Sequence, residues 1–380
     1  MLPAMSPQSW IRMSDMDDIP EPDKTGDAPH PRRAVHLFGQ SAVEQQFIDA
    51  MKAGSVHHAW LVTGPRGIGK ATLAWRMARG LIALSPNDPV PDDLSIHPDS
   101  PVFRRMAALG EPRLFLCRRP WNEKTKRLSA QITVDEVRRL KSFFTMSATD
   151  GGWRVAIIDA ADDMNSSAAN ALLKVLEEPP DNVCIILVAH QPGRLLPTIR
   201  SRCRSVSLSP LDPDNLGLAL DSIGLDVPPD MTALHQLAEG SVGQAVDLLS
   251  GDGDEIYGQI IKTMASCPNM DRGLVLDLAD ACVGPAAAPR YALTLRLIQL
   301  ALGRLAKGAV VEGGLPEATD GEAAMHARIA PSPTAAARWA ELVQSIGTRT
   351  DHAVSVNLDP GHVILDTFLQ IEAVAAKTSV

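Results

Sequence analysis

At 380 residues, 45% of them hydrophobic, the chain exceeds the usual size of one compact domain and has the apolar content to fill two or three cores. A formal net charge of -9 argues against a protein that wraps DNA unaided through bulk electrostatics, although it leaves room for a local basic face. Five scattered cysteines (Cys117, Cys184, Cys203, Cys267, Cys282) form no Cys-x-x-Cys pair, so neither a zinc ribbon nor a disulfide framework is indicated and reduced cytoplasmic thiols are expected.

Residues 1–35 are rich in Met, Asp, Pro and Ser without periodicity and read as a disordered tail. They lack the basic-then-apolar order of a signal peptide, and no later apolar run could span a bilayer, so a soluble, unexported chain is expected. From 36 to 210 helical stretches alternate with short apolar runs at His58–Thr63, Arg113–Cys117, Arg154–Asp159, Val183–Ala189 and Ser205–Leu208. That alternation predicts an α/β domain, a parallel sheet with helices on both faces. Pro210 and Asp212-Pro213 punctuate its end. Residues 211–251 read as a small helical lid domain and 252–380 as an all-helical domain. In the latter, Leu293, Leu297, Leu300 and Ala301 form one apolar surface and Ile364, Leu365, Phe368, Ile371 and Ala375 another. The Gly/Ala/Pro-rich stretch 307–334 between them reads as a mobile connector.

The first strand runs into Gly64-Pro65-Arg66-Gly67-Ile68-Gly69-Lys70-Ala71-Thr72. Gly64, Gly67, Gly69 and Lys70 have the spacing of a phosphate-binding loop, whose backbone N–H groups close around phosphates while the lysine reaches the outer ones. Leu73, Ala74, Met77 and Ala78 give the following helix its apolar face. Ala71 stands where a hydroxyl would ligate Mg²⁺. Thr72 comes one residue too late, because a single helical step turns its side chain about 100° away.

Arg154–Asp159 is an apolar strand ending in a carboxylate, the place of a metal-associated aspartate in nucleotide hydrolases. A catalytic ATPase usually follows it with a glutamate that orients water; here Ala160 follows. Asn165–Pro180 is a helix with Ser or Asn available as cap, an apolar face of Ala169, Leu172, Leu173 and Leu176, and a double proline as stop. Arg200, Arg202 and Arg204 crowd five positions before the last strand. They fit either a solvated turn or a guanidinium that stabilises a transferring phosphoryl group. Between Arg104 and Lys141 eleven Lys/Arg face four Asp/Glu, a net of +7. A solvated insertion explains this, as does contact with DNA or an acidic partner near Phe103 and Trp121.

Leu37-Phe38-Gly39-Gln40, His57-His58-Ala59-Trp60 before the loop, the run Ala168–Pro180 and Ser201-Arg202-Cys203 together resemble the clamp-loader branch of the AAA+ ATPases, strongly over 36–250 and weakly beyond. The resemblance implies an AAA+ fold, a lid and a helical collar that holds subunits in a ring. It implies that Arg202 enters the ATP site of an adjacent motor subunit as a catalytic group in trans. The implied partners are the motor subunits (gamma/tau), a delta subunit and, through the complex, the sliding clamp and primed DNA, in the cytoplasm and without a membrane.

The departures from the family agree with one another. Ala71 replaces the metal hydroxyl, Ala160 the catalytic glutamate, and Gly243 stands where hydrolysing relatives carry a nucleotide-sensing arginine. Many relatives hold a cysteine zinc module after the phosphate-loop helix; only Cys117 lies in that interval here, so no metal is expected. These losses predict a subunit that assists hydrolysis without performing it, with no required cofactor and weak ATP binding at most, active as an enzyme only within the replicative polymerase complex. The rival readings are an ATPase in its own right and a plain adaptor.

Overall fold

The computed structural model describes residues 20–26, 28–85, 88–145 and 152–378. The described residues divide into two compact units, one within 29–209 together with 20–24, the other within 210–378 together with 25, 26 and 28.

The first unit is built on five parallel strands: β1 (Ala59–Thr63), β2 (Leu114–Arg118), β5 (Arg154–Asp159), β6 (Val183–Val188) and β7 (Arg204–Ser207). Their order across the sheet is β2-β5-β6-β1-β7. Each predicted strand is present within about one residue of its expected ends, the ordinary spread of boundary assignment. Successive side chains point to opposite faces, and β1, β2, β5 and β6 are apolar on both, so each feeds two cores, whereas the edge strand β7 gives only Val206 to one. Trp60, Val62, Val155, Ile157 and Ile186 pack beneath α1 (Ser41–Lys52) and α2 (Lys70–Ala83). Ala59, Leu61, Ala156, Ile158 and Ile185 pack beneath α4 (Val134–Thr145) and α5 (Ser166–Glu177). Asn165 caps α5, its side chain accepting from the Ala168 N–H at 2.9 Å. The short helices α3 (Pro101–Ala107) and α6 (Pro197–Arg200) and a hairpin of β3 (Trp121–Asn122) and β4 (Arg127–Leu128) complete the unit.

One expectation changes here. Of the predicted tail, residues 1–19 lie outside the described residues, but 20–24 and 29–35 are folded onto this unit. Asp23 pairs with His30 Nε2 at 3.0 Å and with Arg118, Glu21 pairs with Arg32 at 2.6 Å and Arg118 at 3.0 Å, and a 3-10 turn forms at Pro31–Arg33. The pairs to Arg118 join residues almost a hundred positions apart, which local composition cannot register. Seven of the eleven basic side chains from Arg104 to Lys141 pair with carboxylates, Arg104, Arg138 and Arg139 at the solvent-exposed surface. Arg104 pairs with Asp99, Arg105 and Arg113 with Glu111, Arg118 with Asp23, Arg119 with Asp163, Arg138 with Asp135 and Arg139 with Glu136.

The second unit is helical throughout its described residues: α7 (Pro213–Asp221), α8 (Thr232–Ala238), α9 (Val242–Ser250), α10 (Gly253–Ala265), α11 (Arg272–Asp280), α12 (Ala288–Gly308), α13 (Glu322–Ile329), α14 (Pro333–Ser355) and α15 (Pro360–Thr378). Leu293, Leu297, Ala301, Ile364, Phe368, Ile371 and Ala375 are buried as their spacing predicts. The boundary expected at 251–252 falls inside this unit, where Arg296 Nη1 donates to Gln244 Oε1 at 2.7 Å and Arg304 Nη1 to Gln236 Oε1 at 2.9 Å. The connector expected over 307–334 contains α13 and the buried Glu322. Arg304 donates through Nε and Nη2 to the two Glu322 oxygens at 2.7 and 2.9 Å, Tyr257 donates to Oε1 at 2.5 Å, and the Ala318 N–H to Oε2 at 2.7 Å. A carboxylate with this many donors anchors a Gly/Pro-rich stretch that composition alone marks as loose.

Candidate functional site

The loop leaves β1 at the C-terminal edge of the sheet and ends where Lys70 begins α2. Gly64 has φ +136°, and a Cβ there would lie 2.7 Å from the Leu208 carbonyl oxygen. At Gly69, φ is +99° and a Cβ would meet Leu37 Cδ1 at 2.8 Å, which places one residue of the Leu37–Gln40 motif against the loop. Gln40 itself is buried and donates to the Ser209 carbonyl at 2.7 Å, tying the start of α1 to the chain leaving β7. Only glycine fits the two loop positions.

Lys70 is buried, and its Nζ donates to the loop's own carbonyls, to Gly64 O at 2.7 Å and to Pro65 O. Burial, opposed by Asp159 and Asp162, brings this ammonium down to about 8. Asp159, Val188 and Val62 stand in one row across β5, β6 and β1. The carboxylate is therefore about two strand spacings, roughly 10 Å, from the end of β1. Burial, with the like charges of Asp23, Asp163 and Asp162 added and Lys70 opposing, pushes Asp159 up to about 8. Asp162 and His190 carry no signal in the sequence, yet they line this site. Asp162 accepts from the His190 and Gln191 N–H groups at 3.0 and 3.1 Å, and burial with Lys70 and Arg66 nearby lowers the His190 imidazole to about 4. No motif marks this pair; it arises where the ends of β5 and β6 meet.

These residues do not fit a hydrolytic Mg-ATP site. The side chains at 71 and 160 are methyl groups, and Lys70 is committed to the loop carbonyls. The loop glycines keep the conformations a phosphate needs, and the N–H groups opening α2 remain as anion donors. Buried among the like charges of Asp23, Asp162 and Asp163, Asp159 is a cost to folding. An aspartate raised from 3.8 in the unfolded chain to about 8 in the fold contributes stability that is complete below pH ~4 and lost as pH rises toward ~8. Asp159→Asn is therefore expected to raise stability by about 1–3 kcal/mol at pH 7.5 and to have little effect at pH 4, measured as Tm at the two pH values. Equal effects at both pH values would contradict this account.

Arg202 lies at the other edge. Arg204 opens β7 beside Trp60, and Thr63, the last residue of β1, pairs with Ser207. Gly64 is therefore about 13 Å farther along the strand direction than Arg204, with Arg202 two residues before Arg204. The Arg202 guanidinium is half-exposed, pairs with Glu177 Oε1 at 2.9 Å, and donates from Nη1 to the Thr198 carbonyl at 3.1 Å. The other two arginines separate from it: Arg204 lies over the Trp60 ring, 4.8 Å from its centroid, and Arg200 is exposed. In the second unit Ser241 caps α9, and Gly243 is buried in its first turn. Among the described residues no His/Cys/Asp/Glu cluster is placed to hold a metal, and no helix is long and apolar enough to cross a membrane.

Residues 39–212 match the profile of the family described as "DNA polymerase III, delta subunit". The chain is 40% identical over 146 residues to the DNA polymerase III subunit delta' of Pseudomonas aeruginosa, 38% of this chain and 41% of that protein. It is 27% identical over 256 residues to the DNA polymerase III subunit tau of Escherichia coli, 65% of this chain and 38% of that one. The chain thus spans about two fifths of the length of these curated relatives. Among solved structures the chain is similar to a DNA polymerase III gamma subunit-related protein from Thermotoga maritima, with a TM-score of 0.41 and 16% identity over 89% of this chain and 100% of that one. The loop and the sequence match point the same way: through residues 39–212 the chain is similar to the delta-prime subunits of DNA polymerase III.

Proposed function

We propose that the chain is the non-motor, stator-like subunit of a replicative clamp loader, bracing the complex and lending Arg202 to the ATP site of a neighbouring motor subunit. Its partners in this reading are the gamma/tau motor subunits and a delta subunit, and its work in the cytoplasm is to help place a sliding clamp on primed DNA. The observation that carries the reading is the position of Arg202, held at the sheet edge opposite its own phosphate loop and too far from it to reach those phosphates. A guanidinium presented there is available to another subunit and to no chemistry of its own chain. Supporting it, Ala71 and Ala160 remove the metal hydroxyl and the water-orienting carboxylate, and phosphoryl transfer depends on both kinds of positioning. The helical unit supplies the collar, with Leu276, Val283, Val354 and Leu358 among its exposed apolar side chains.

The test is ATP turnover by the purified chain. No hydrolysis above background is expected, and Lys70→Ala is expected to change nothing. Turnover at ordinary ATPase rates that disappears in Lys70→Ala would transfer the case to the active-ATPase reading. Weak nucleotide binding is compatible with the proposal, since the loop's backbone donors are retained.

A further inference from the structure

Glu177 is the last residue of α5, where the unsatisfied carbonyls of a helix end disfavour an anion and favour Lys or Arg. Helix stability therefore does not account for a carboxylate at this position. What it does instead is reach Arg202, Oε1 to Nη2 at 2.9 Å, while the Thr198 carbonyl accepts from Nη1 at 3.1 Å. Two acceptors on two different nitrogens set the plane of the guanidinium. They leave its remaining N–H donors unspent, since the group carries five. The two side chains are 36% and 48% exposed, so solvent screens the pair and it adds little to folding.

From this geometry we infer that Glu177 is a positioning residue for Arg202. Its carboxylate holds the guanidinium in one orientation at the sheet edge, so that the finger enters a neighbour's phosphate site with less rotamer freedom still to lose. The inference rests on the reading of Arg202 given above.

The experiment uses the loader reconstituted from this chain and its motor and delta subunits, with DNA- and clamp-stimulated ATP turnover as the readout. Glu177→Ala is expected to lower kcat about two- to fivefold, the range a half-exposed ion pair can supply, with the KM for ATP unchanged. Glu177→Gln keeps an acceptor oxygen and is expected to recover part of the loss. In an Arg202→Ala background, Glu177→Ala is expected to have no further effect, because the group it positions is gone. The isolated Glu177→Ala chain is expected to melt at or slightly above the parent temperature, since an anion has left the helix end. If Arg202→Ala slows turnover but Glu177→Ala leaves it unchanged or faster, the positioning role is wrong while the finger stands. The same fall in the Arg202→Ala background would also overturn it. If Arg202→Ala itself has no effect, the finger reading fails and this inference falls with it.

Discussion

Arg202→Ala is expected to leave the chain folded and the loader assembled, yet to slow ATP hydrolysis by the complex severely. The side chain's partners are the half-exposed Glu177 and one carbonyl, so removing it costs the isolated fold little. At the site it enters, an arginine finger contributes on the order of 10³–10⁵ in rate, and several motor sites firing together dilute the observed loss. Lys is expected to rescue poorly, because an ammonium cannot reproduce the bidentate fork. The measurement is DNA- and clamp-stimulated turnover of reconstituted loader, with assembly checked by size-exclusion chromatography. Wild-type turnover and clamp loading with normal assembly would reduce Arg202 to a surface arginine and favour the adaptor reading.

Glu322→Ala is expected to destabilise the helical unit by about 3–5 kcal/mol, the usual loss when one partner of a buried ion pair is removed. The variant leaves the buried Arg304 facing Gln236 and the Pro316 carbonyl with no carboxylate. It also strips the Ala318 N–H and the Tyr257 hydroxyl of their acceptor. Such a loss is a large share of the roughly 5–15 kcal/mol that holds an ordinary domain. Hydrogen exchange should show protection falling over residues 316–329, with the urea midpoint of the unit lowered. Burial works to raise the Glu322 carboxyl, but hydrogen bonds from Arg304, the Ala318 N–H and Tyr257 outweigh it and hold the group below its ordinary value of 4.5. The network's stability is therefore complete above pH ~4.5 and lost as pH falls below that. Glu322→Gln should accordingly flatten the acid limb of the stability profile. Replacing Arg304 and Glu322 together by apolar residues of similar volume is expected to recover most of the loss. If the single and double variants melt alike, the network is not what secures 309–321.

The sheet was legible because its determinants are local. Five apolar runs, each flanked by turn residues, became five strands, and the glycines at 64 and 69 stand where left-handed or closely packed backbone requires them. The Asn165 cap and the apolar face of α5 follow from spacing in the same way. The small hairpin β3–β4 did not, since two-residue strands carry too little periodicity to register.

What the sequence by itself determined is the set of chemical groups: a phosphate loop without its metal hydroxyl, a strand-end aspartate without its glutamate, and an arginine after β6. Each of these is the presence or absence of a side chain at a fixed spacing. Only the tertiary structure decided how the groups are shared out, because sheet order and long-range ion pairs join residues that no local pattern connects. It put Arg202 at the edge opposite Gly64 and gave it Glu177. It turned Lys70 onto its own loop, brought Glu21 and Asp23 onto Arg118, and drew residues 309–321 down to Glu322. Those outcomes depend on how the ends of distant strands and helices meet, and charge pairing and burial are settled only where they meet.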